Sequence, residues 1–249
     1  MPEFLPHLAG PKILAALLRA PGNEIKSGKF DHPDSSQALV ANAFGYFLDR
    51  PEALPSFPGL GGNPAYAVTL EAEMRFPWDG GRQPWVDVAI ESESLLIGVE
   101  ARRYEPFRPA KAATFPEAAE RPVWGARMGR YTGLASDIAS GAQVFDCLDA
   151  VPLIKAACGI RTQAFKRARQ PVLAYIYAEP EVWAGSGKPV DPERIAQHRA
   201  EIDRFGDIVL GDHVVFLPLR WADILAQWAR KASLQAHVAA VLGRFGGLG

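Results

Sequence analysis

The stretch that decides the fold runs from residue 84 to residue 107 and reads PWVDVAIESESLLIGVEARRYEPF. Two apolar runs of strand length flank the polar residues ESES, which is typical of a β-hairpin with a short turn. Each run also carries an acidic residue, Asp87 in the first and Glu100 in the second. Because a buried charge is costly unless it is paired, these carboxylates need a cationic partner. The hairpin therefore predicts both a sheet and a candidate site.

The hairpin lies within an alternation of strand and helix patterns. YAVTLEAEMRF at 66–76 predicts a strand before the hairpin, and the almost wholly apolar PVLAYIYAE at 171–179 predicts a central strand covered on both faces. HVVFLPL at 213–219 predicts the last strand. The predicted helices cover 11–20, 34–49, 123–159 with breaks at Gly133 and Gly141, 192–205, and one or two helices over 221–246.

The order of these elements predicts an α/β fold with a mixed central sheet flanked by α-helices. We expect one domain over 1–249, with its core at about 32–220 and closing helices at 220–247. A chain of 249 residues with 48% hydrophobic content is sufficient for one such core.

Composition and charge narrow the function classes. The formal net charge is −1, so the chain as a whole has no basic signature of nucleic-acid binding, although one face can still carry one. The two cysteines, Cys147 and Cys158, have no spacing typical of a metal site. No apolar run has the length of a membrane span, and the N-terminus lacks the pattern of a signal peptide. We therefore expect a cytoplasmic protein with no membrane partner.

Strand periodicity places the charged residues of the hairpin together. A symmetric hairpin with its turn at residues 92–93 pairs Asp87 with Gly98, which leaves space opposite the carboxylate. Residues two apart share a face, so Glu100 and Arg102 project beside Asp87. Diagonal neighbours lie roughly 7–8 Å apart, a distance at which two carboxylates can reach one metal ion.

Two readings of this group follow from its chemistry. Carboxylate oxygens suit Mg²⁺ or Mn²⁺, and such an ion activates water for attack on a phosphodiester while a fixed cation stabilises the growing charge. In that reading Asp87 and Glu100 bind the metal. In the alternative reading, Asp87, Arg102 and Glu100 form an ion-pair network at the end of a sheet, without a metal.

At these residues the chain resembles the PD-(D/E)XK nuclease superfamily, whose signature is an Asp on one strand and Glu-x-Lys on the next. QPWVD supplies Asp87 and GVEARRYEPFR supplies Glu100, close to GIESKRYEPFR of a bacterial branch of that superfamily. SSQALVANAF, LDAVPLIKAACGI and PVLAYIYAEP also match, so the resemblance covers about residues 32–181. It implies a restriction-endonuclease-like three-layer sandwich and a metal-dependent nuclease.

The chain departs from the pattern of that branch in three places. Arg102 occupies the place of the motif Lys; it keeps the positive charge but cannot act as a general base at working pH. Pro152 and Ala156 stand where the branch has Gln and His, and Pro152 is expected to remove a hydrogen bond and kink its helix.

Further candidates surround this group. Glu73 is a candidate third carboxylate, and Glu71 shares its face by the period of two. The alternative for both is the solvated face of an edge strand, which is favoured for Glu71. Glu105 is expected to form an ion pair with Arg103, the alternative being that it helps to hold the metal ion. The supporting candidates are Ser36 and Gln37 in the first matched helix, with Ser36 also suited to a helix N-cap, and Lys155 as a phosphate contact.

Two basic stretches are candidates for contacts with a nucleic-acid backbone, provided that both lie on one face. The first contains Arg103, Arg108 and Lys111, and the second contains Lys166 and Arg167.

The sequence thus supports three functional hypotheses. The first is a Mg²⁺- or Mn²⁺-dependent nuclease acting on DNA, with Asp87 and Glu100 as metal ligands and Arg102 as the catalytic cation. The second is a catalytically silent member of the fold that binds nucleic acid or protein. The third is a carboxylate-metal enzyme acting on a small phosphoester. A homodimer is left open.

Overall fold

The computed structural model describes residues 2–61, 63–78, 80–109, 123–125 and 127–249. Within them the chain forms one sheet of five strands in the order β1 to β5. The first three strands are antiparallel and the last three are parallel, so the sheet is mixed, as predicted. The strands are β1 Ala67–Glu73, β2 Trp85–Glu91, β3 Leu95–Arg102, β4 Gln170–Tyr177 and β5 Val215–Arg220.

Helices cover both faces of the sheet, which confirms the predicted α/β architecture. The helices are α1 Gly10–Arg19, α2 Ser36–Phe44, α3 Gly129–Ala139, α4 Ala150–Lys166, α5 Pro192–Val209, α6 Trp221–Ala229 and α7 Ala232–Phe245. Two apolar clusters form the two sides of the core, one with α1, α2, α6 and α7 and the other with α3, α4 and α5.

Strand β4 lies between two parallel neighbours under helices of both layers. All of its residues except Gln170 are buried, as its unbroken apolar pattern predicted.

The region predicted as a helix over 123–159 differs from the prediction. It contains α3 and α4, separated by the segment 140–149; Gly133 lies inside α3, whereas Gly141 adopts a positive φ of 78° just after it. Helix α4 begins at Ala150, so Pro152 lies in its first turn, where backbone N–H groups have no partner within the helix. The expected loss of a helical hydrogen bond at Pro152 is therefore wrong.

The register of the hairpin also differs from the prediction. Gly98 lies opposite Ala89, not Asp87, because the turn forms over residues 93–94. Ser92 fixes this turn: its N–H donates to the carbonyl of Leu95, and its Oγ accepts the N–H of Leu95. A shift of two residues keeps the same face, so the predicted grouping of side chains survives.

Gly98 does not leave empty space beside the carboxylates. A Cβ at this position would overlap Cδ1 of Ile160, so the glycine admits a side chain of α4 against the sheet. Gly159, one residue before Ile160, allows a close approach to the segment after β1, since a Cβ there would overlap the carbonyl oxygen of Met74. The two glycines allow α4 to approach the sheet closely.

Candidate active site at the strand fork

The candidate site lies where β2 separates from β3. Their pairing ends with Val88 opposite Val99, whereas the pairings of β1 with β2 and of β3 with β4 continue beyond this level. At the point of separation, the Asp87 carboxylate replaces a backbone partner: Oδ2 accepts the N–H of Ala101 at 2.7 Å. We call this opening the strand fork.

The structure brings Asp87, Glu100 and Arg102 together at the strand fork. Nη1 of Arg102 lies 3.3 Å from Oδ2 of Asp87, and Nη2 lies 2.8 Å from Oε2 of Glu100. Nη1 also donates to the carbonyl of Ala101 at 2.7 Å, which holds the guanidinium in place. Arg102 therefore bridges the two carboxylates, as in the ion-pair reading of the sequence.

The third carboxylate at the fork belongs to Glu71, not to Glu73. Glu71 is buried, and its Oε1 accepts a hydrogen bond from Nε2 of Gln37 at 2.8 Å. Its φ is 50°, and this left-handed residue interrupts the alternation of faces along β1: Leu70 packs in one half of the core and Ala72 in the other.

Glu73 lies at the exposed end of β1 with its carboxylate 4.0 Å from Nε of Arg75. The sequence placed Glu71 and Glu73 on one face because period-two reasoning assumes an extended backbone at every residue.

Burial and mutual repulsion raise the pKa values of these acids. Burial raises the pKa of Glu100 to about 8, and Asp87 adds to the effect while Arg102 opposes it. Burial, with repulsion from Asp87, raises the pKa of Glu71 to about 7. The pKa of Asp87 is raised as well, mainly by burial. Burial acts to lower the pKa of Arg102, but the surrounding acids raise it, so the guanidinium stays charged.

Glu105 is a fixed anion beside the fork. Its Oε2 accepts hydrogen bonds from Oγ of Ser36 at 2.6 Å and from the backbone N–H groups of Arg103 and Tyr104 at 3.0 and 3.1 Å. Burial acts to raise the pKa of Glu105, but Arg102 and these donors outweigh it and keep the pKa below its usual value. The expected ion pair between the Glu105 and Arg103 side chains is replaced by a bond to the Arg103 backbone.

Sequence reasoning missed Glu24, which comes from the loop between α1 and α2. Its pKa is raised by burial and by repulsion from Glu105 and Asp87. No motif precedes or follows it in GNEIKSG, so only the folded chain reveals its position.

A cleft of about 520 Å³ opens from the fork. It is lined by Ser36 and Gln37 at the start of α2, by Asp87 and Arg102, and by parts of the segments 105–109 and 138–151. The predicted supporting residues Ser36 and Gln37 therefore lie at the site. Lys155 does not line the cleft. Burial acts to lower the pKa of Lys155, Asp149 acts to raise it, and Arg82 acts to lower it.

Arg103 is not placed to contact a nucleic acid. Its side chain is 1% exposed and points to the opposite side of the strand from Arg102. Its guanidinium donates to the backbone carbonyls of Pro33, Phe245 and Gly246, which join the end of β3 to the end of α7.

The remaining basic candidates are divided between the two ends of the sheet. Arg108 lines the cleft with its side chain 48% exposed. Lys166 ends α4 and Arg167 follows it at the other end of β3, where Arg167 pairs with Glu91 at 3.2 Å. The length of β3 separates the two groups by about 23 Å at 3.3 Å per residue, so they do not form one continuous face. Lys111 lies outside the described residues.

The donor set of the fork fits a hard divalent cation in kind. Asp87, Glu100, Glu71 and Gln37 all present oxygen atoms, which Mg²⁺ and Mn²⁺ prefer. Oε1 of Gln37 is buried and has no hydrogen-bond partner among the residues that the structure describes. In the same described part of the chain, no group of three Asp, Glu, His or Cys side chains is arranged so that it could hold a metal ion. Arg102 supplies the positive charge between the carboxylates of Asp87 and Glu100.

Within the described ranges, no helix is both long and apolar enough to cross a membrane. In comparisons with protein-family models, curated proteins and solved structures, nothing matches this chain.

Proposed function

We propose that the strand fork hydrolyses phosphodiester bonds in DNA with the help of a divalent cation, Mg²⁺ or Mn²⁺. Asp87 and Glu100 would hold the cation, with Glu71 as the third carboxylate in place of Glu73. The proposal includes a restriction-endonuclease-like fold of the PD-(D/E)XK type. An Asp and a Glu on adjacent, diverging strands of a mixed sheet, with a basic residue two positions after the Glu, support it.

The excess of buried acid at the fork carries the proposal. Five carboxylates act on one another around Arg102, and the pKa values of four of them are raised. Crowded carboxylates of this kind are a signature of functional sites, and a divalent cation relieves their repulsion. The five are Glu24, Glu71, Asp87, Glu100 and Glu105.

The side chains of the fork have distinct roles in this reaction. A bound divalent cation supplies Lewis acidity and a water of lowered pKa. Arg102 stabilises negative charge on the phosphoryl group and stays protonated throughout, so it is not the general base. Gln37 orients Glu71 through its amide N–H and offers its unpartnered oxygen to the cation or to water.

One observation favours a second candidate, a catalytically silent module that binds nucleic acid or protein. Arg102 already satisfies both Asp87 and Glu100, which is the charge balance expected where a fixed guanidinium replaces a metal. Ala156 is a buried residue of α4 and adds no polar group to the site.

Calorimetric titration with Mn²⁺ and Mg²⁺, in the presence and absence of DNA, separates the two candidates. We expect binding to the wild-type chain and its loss in Asp87→Asn, which keeps an acceptor for the N–H of Ala101. Asp146→Asn is the matched control, because Asp146 lines the same cleft outside the fork. Absence of metal binding to the wild type with DNA present would contradict the catalytic proposal.

The variant Arg102→Lys tests the role of the guanidinium directly. Lys keeps the charge but cannot bridge two carboxylates in the same planar geometry. We expect Mn²⁺-dependent cleavage of DNA to persist or increase in this variant and to disappear in Asp87→Asn. If neither the wild type nor Arg102→Lys cleaves any DNA substrate, the site is silent.

A further inference from the structure

Arg108, which lines the cleft, contacts the ring of Trp183 beside it. Cζ of Arg108 lies 5.6 Å from the centroid of the Trp183 ring. Trp183 is half-buried and stacks on Tyr104 with ring centroids 5.0 Å apart and planes 18° apart. Tyr104 is fixed in turn, since its hydroxyl donates to the carbonyl of Val182. The indole is therefore held in position next to an exposed guanidinium, which also pairs weakly with Asp34 at 3.8 Å.

One wall of the cleft is apolar. Ile138, Val144 and Phe145 contribute to it, and Val144 is 59% exposed. Phe145 is supported from behind by Phe205, at a centroid distance of 6.2 Å, and by the guanidinium of Arg204 at 4.4 Å. A wall of this kind offers a base a flat contact surface that does not depend on its identity.

The charge around the cleft disfavours a DNA duplex. Among the residues that the structure describes, five acidic side chains line the cleft against two arginines, Arg102 and Arg108. A duplex carries a phosphate charge every 1.7 Å along its axis, so duplex-binding surfaces need a track of basic groups. Lys166 and Arg167 lie at the far end of the sheet and provide no such track here.

We infer that the cleft takes single-stranded nucleic acid in preference to duplex. One base lies against the apolar wall, its phosphate lies near Arg108, and the next base contacts the Trp183 indole beside Arg108. This inference rests on the proposed function, because it names the substrate of the same site. Single strands are bound through stacking on aromatic rings, which compensates for the shortage of basic groups.

Fluorescence anisotropy of the full chain tests this inference without depending on cleavage. The probes are a labelled single strand of about 12 nucleotides, long enough for one binding site, and its blunt duplex, both in Ca²⁺. We expect the single strand to bind at least about tenfold more tightly, since its unpaired bases can contact aromatic and apolar side chains. Equal or tighter binding of the duplex would overturn the inference.

Variants identify the surface that is used. Trp183→Ala should weaken single-strand binding about tenfold, whereas Phe165→Ala, at the other end of α4 with its ring 67% exposed, should leave it unchanged. Loss of the stacked indole can disturb Tyr104, so Val144→Asp provides an independent test. The Val144 side chain is exposed, so the fold tolerates the substitution. The negative charge of the aspartate repels the strand. Single-strand affinity unchanged in both variants would overturn the inference.

The outcomes separate this inference from the proposed function. Preferential single-strand binding without metal-dependent cleavage would support the inference and contradict the catalytic proposal. Cleavage of duplex DNA without a preference for single strands would support the catalytic proposal and contradict the inference. Binding of a small phosphodiester, such as bis(p-nitrophenyl) phosphate, with no binding of the strand would contradict the inference and favour a small-molecule substrate.

Discussion

Arg102 shows how one side chain decides between two chemistries at the fork. A guanidinium presents parallel donors, so it can bond Asp87 and Glu100 at once, as the distances of 3.3 and 2.8 Å show. A lysine in the same place would be a point charge with a shorter reach. The same feature that makes Arg102 a good transition-state cation thus makes it a good substitute for a metal.

Glu105→Gln tests the fixed anion beside the fork. Because its carboxylate accepts three hydrogen bonds, we expect the variant to lose about 1–3 kcal/mol in the free energy of unfolding at pH 7. The pKa of Glu105 is lowered by folding, so its contribution is present above pH 4.5 and is lost as the pH falls through the folded value. Urea unfolding at pH 7 and pH 3 measures the difference, with exposed Glu181→Gln as control. An equal difference at both pH values would contradict this account.

Glu100→Gln tests a carboxylate whose pKa is raised by folding instead of lowered. Folding raises the pKa of Glu100 from 4.5 to about 8, so its stabilising protonated form is fully present below pH 4.5 and is lost as the pH rises to about 8. The wild type should lose up to about 1.4 kcal/mol of unfolding free energy per pH unit from this group, and Glu100→Gln should not. Unfolding from pH 5 to pH 8 measures this, with Glu52→Gln as control. Parallel pH profiles of wild type and Glu100→Gln would contradict it.

At the scale of elements, two contacts shape the strand fork. The carboxylate of Asp87 takes the N–H of Ala101 from the β2–β3 ladder, and α4 approaches closely at Gly159 to contact Met74. Met74 after β1 and Pro84 before β2 therefore lie against α4 at Gly159. The gap that results is where the cleft begins.

Gly98→Ala tests the close approach of α4. The added methyl group would meet Cδ1 of Ile160, so we expect a loss of about 1–3 kcal/mol in unfolding free energy. The double variant Gly98→Ala with Ile160→Val removes Cδ1, the atom nearest to the added methyl group, and should recover part of the loss. Gly133→Ala is the control: it lies in α3, where an added methyl group would meet open space, and should stabilise by about 0.5–1 kcal/mol. A neutral Gly98→Ala would contradict this packing.

At the scale of the whole molecule, Arg103 ties the site to the end of the described chain. Its backbone N–H donates to Ser36 and Glu105 at the cleft, while its guanidinium donates to carbonyls of Pro33 and of residues 245–246. One residue thus joins the end of β3, the segment before α2 and the end of α7.

Arg103→Ala should therefore affect a distant part of the chain. We expect a loss of about 2–4 kcal/mol in unfolding free energy, since three backbone carbonyls lose a charged donor and the hydrogen bond to Phe245 is buried. Hydrogen exchange should increase at residues 243–249 more than at α6. Arg244→Ala, whose side chain contacts only the Phe245 ring among the described interactions, is the control. Unchanged exchange at the end of α7 would contradict this role.

The sequence was sufficient to predict the mixed sheet, its five strands within three residues at each end, and the grouping of Asp87, Glu100 and Arg102. Those predictions rest on the period of two along a strand, which a register shift of two residues does not disturb. The specific superfamily, the metal and the DNA substrate stay predictions.

What the sequence alone determined is local: where strands form and which side chains share a face while the backbone remains extended. Only the tertiary structure decided that Glu71 and Glu24 join the fork, because one has a positive φ and the other comes from a loop without a pattern. It also buried Arg103 and placed Lys166 far from the cleft. The physical reason is that burial and charge balance depend on contacts between segments distant in sequence, which no local period encodes.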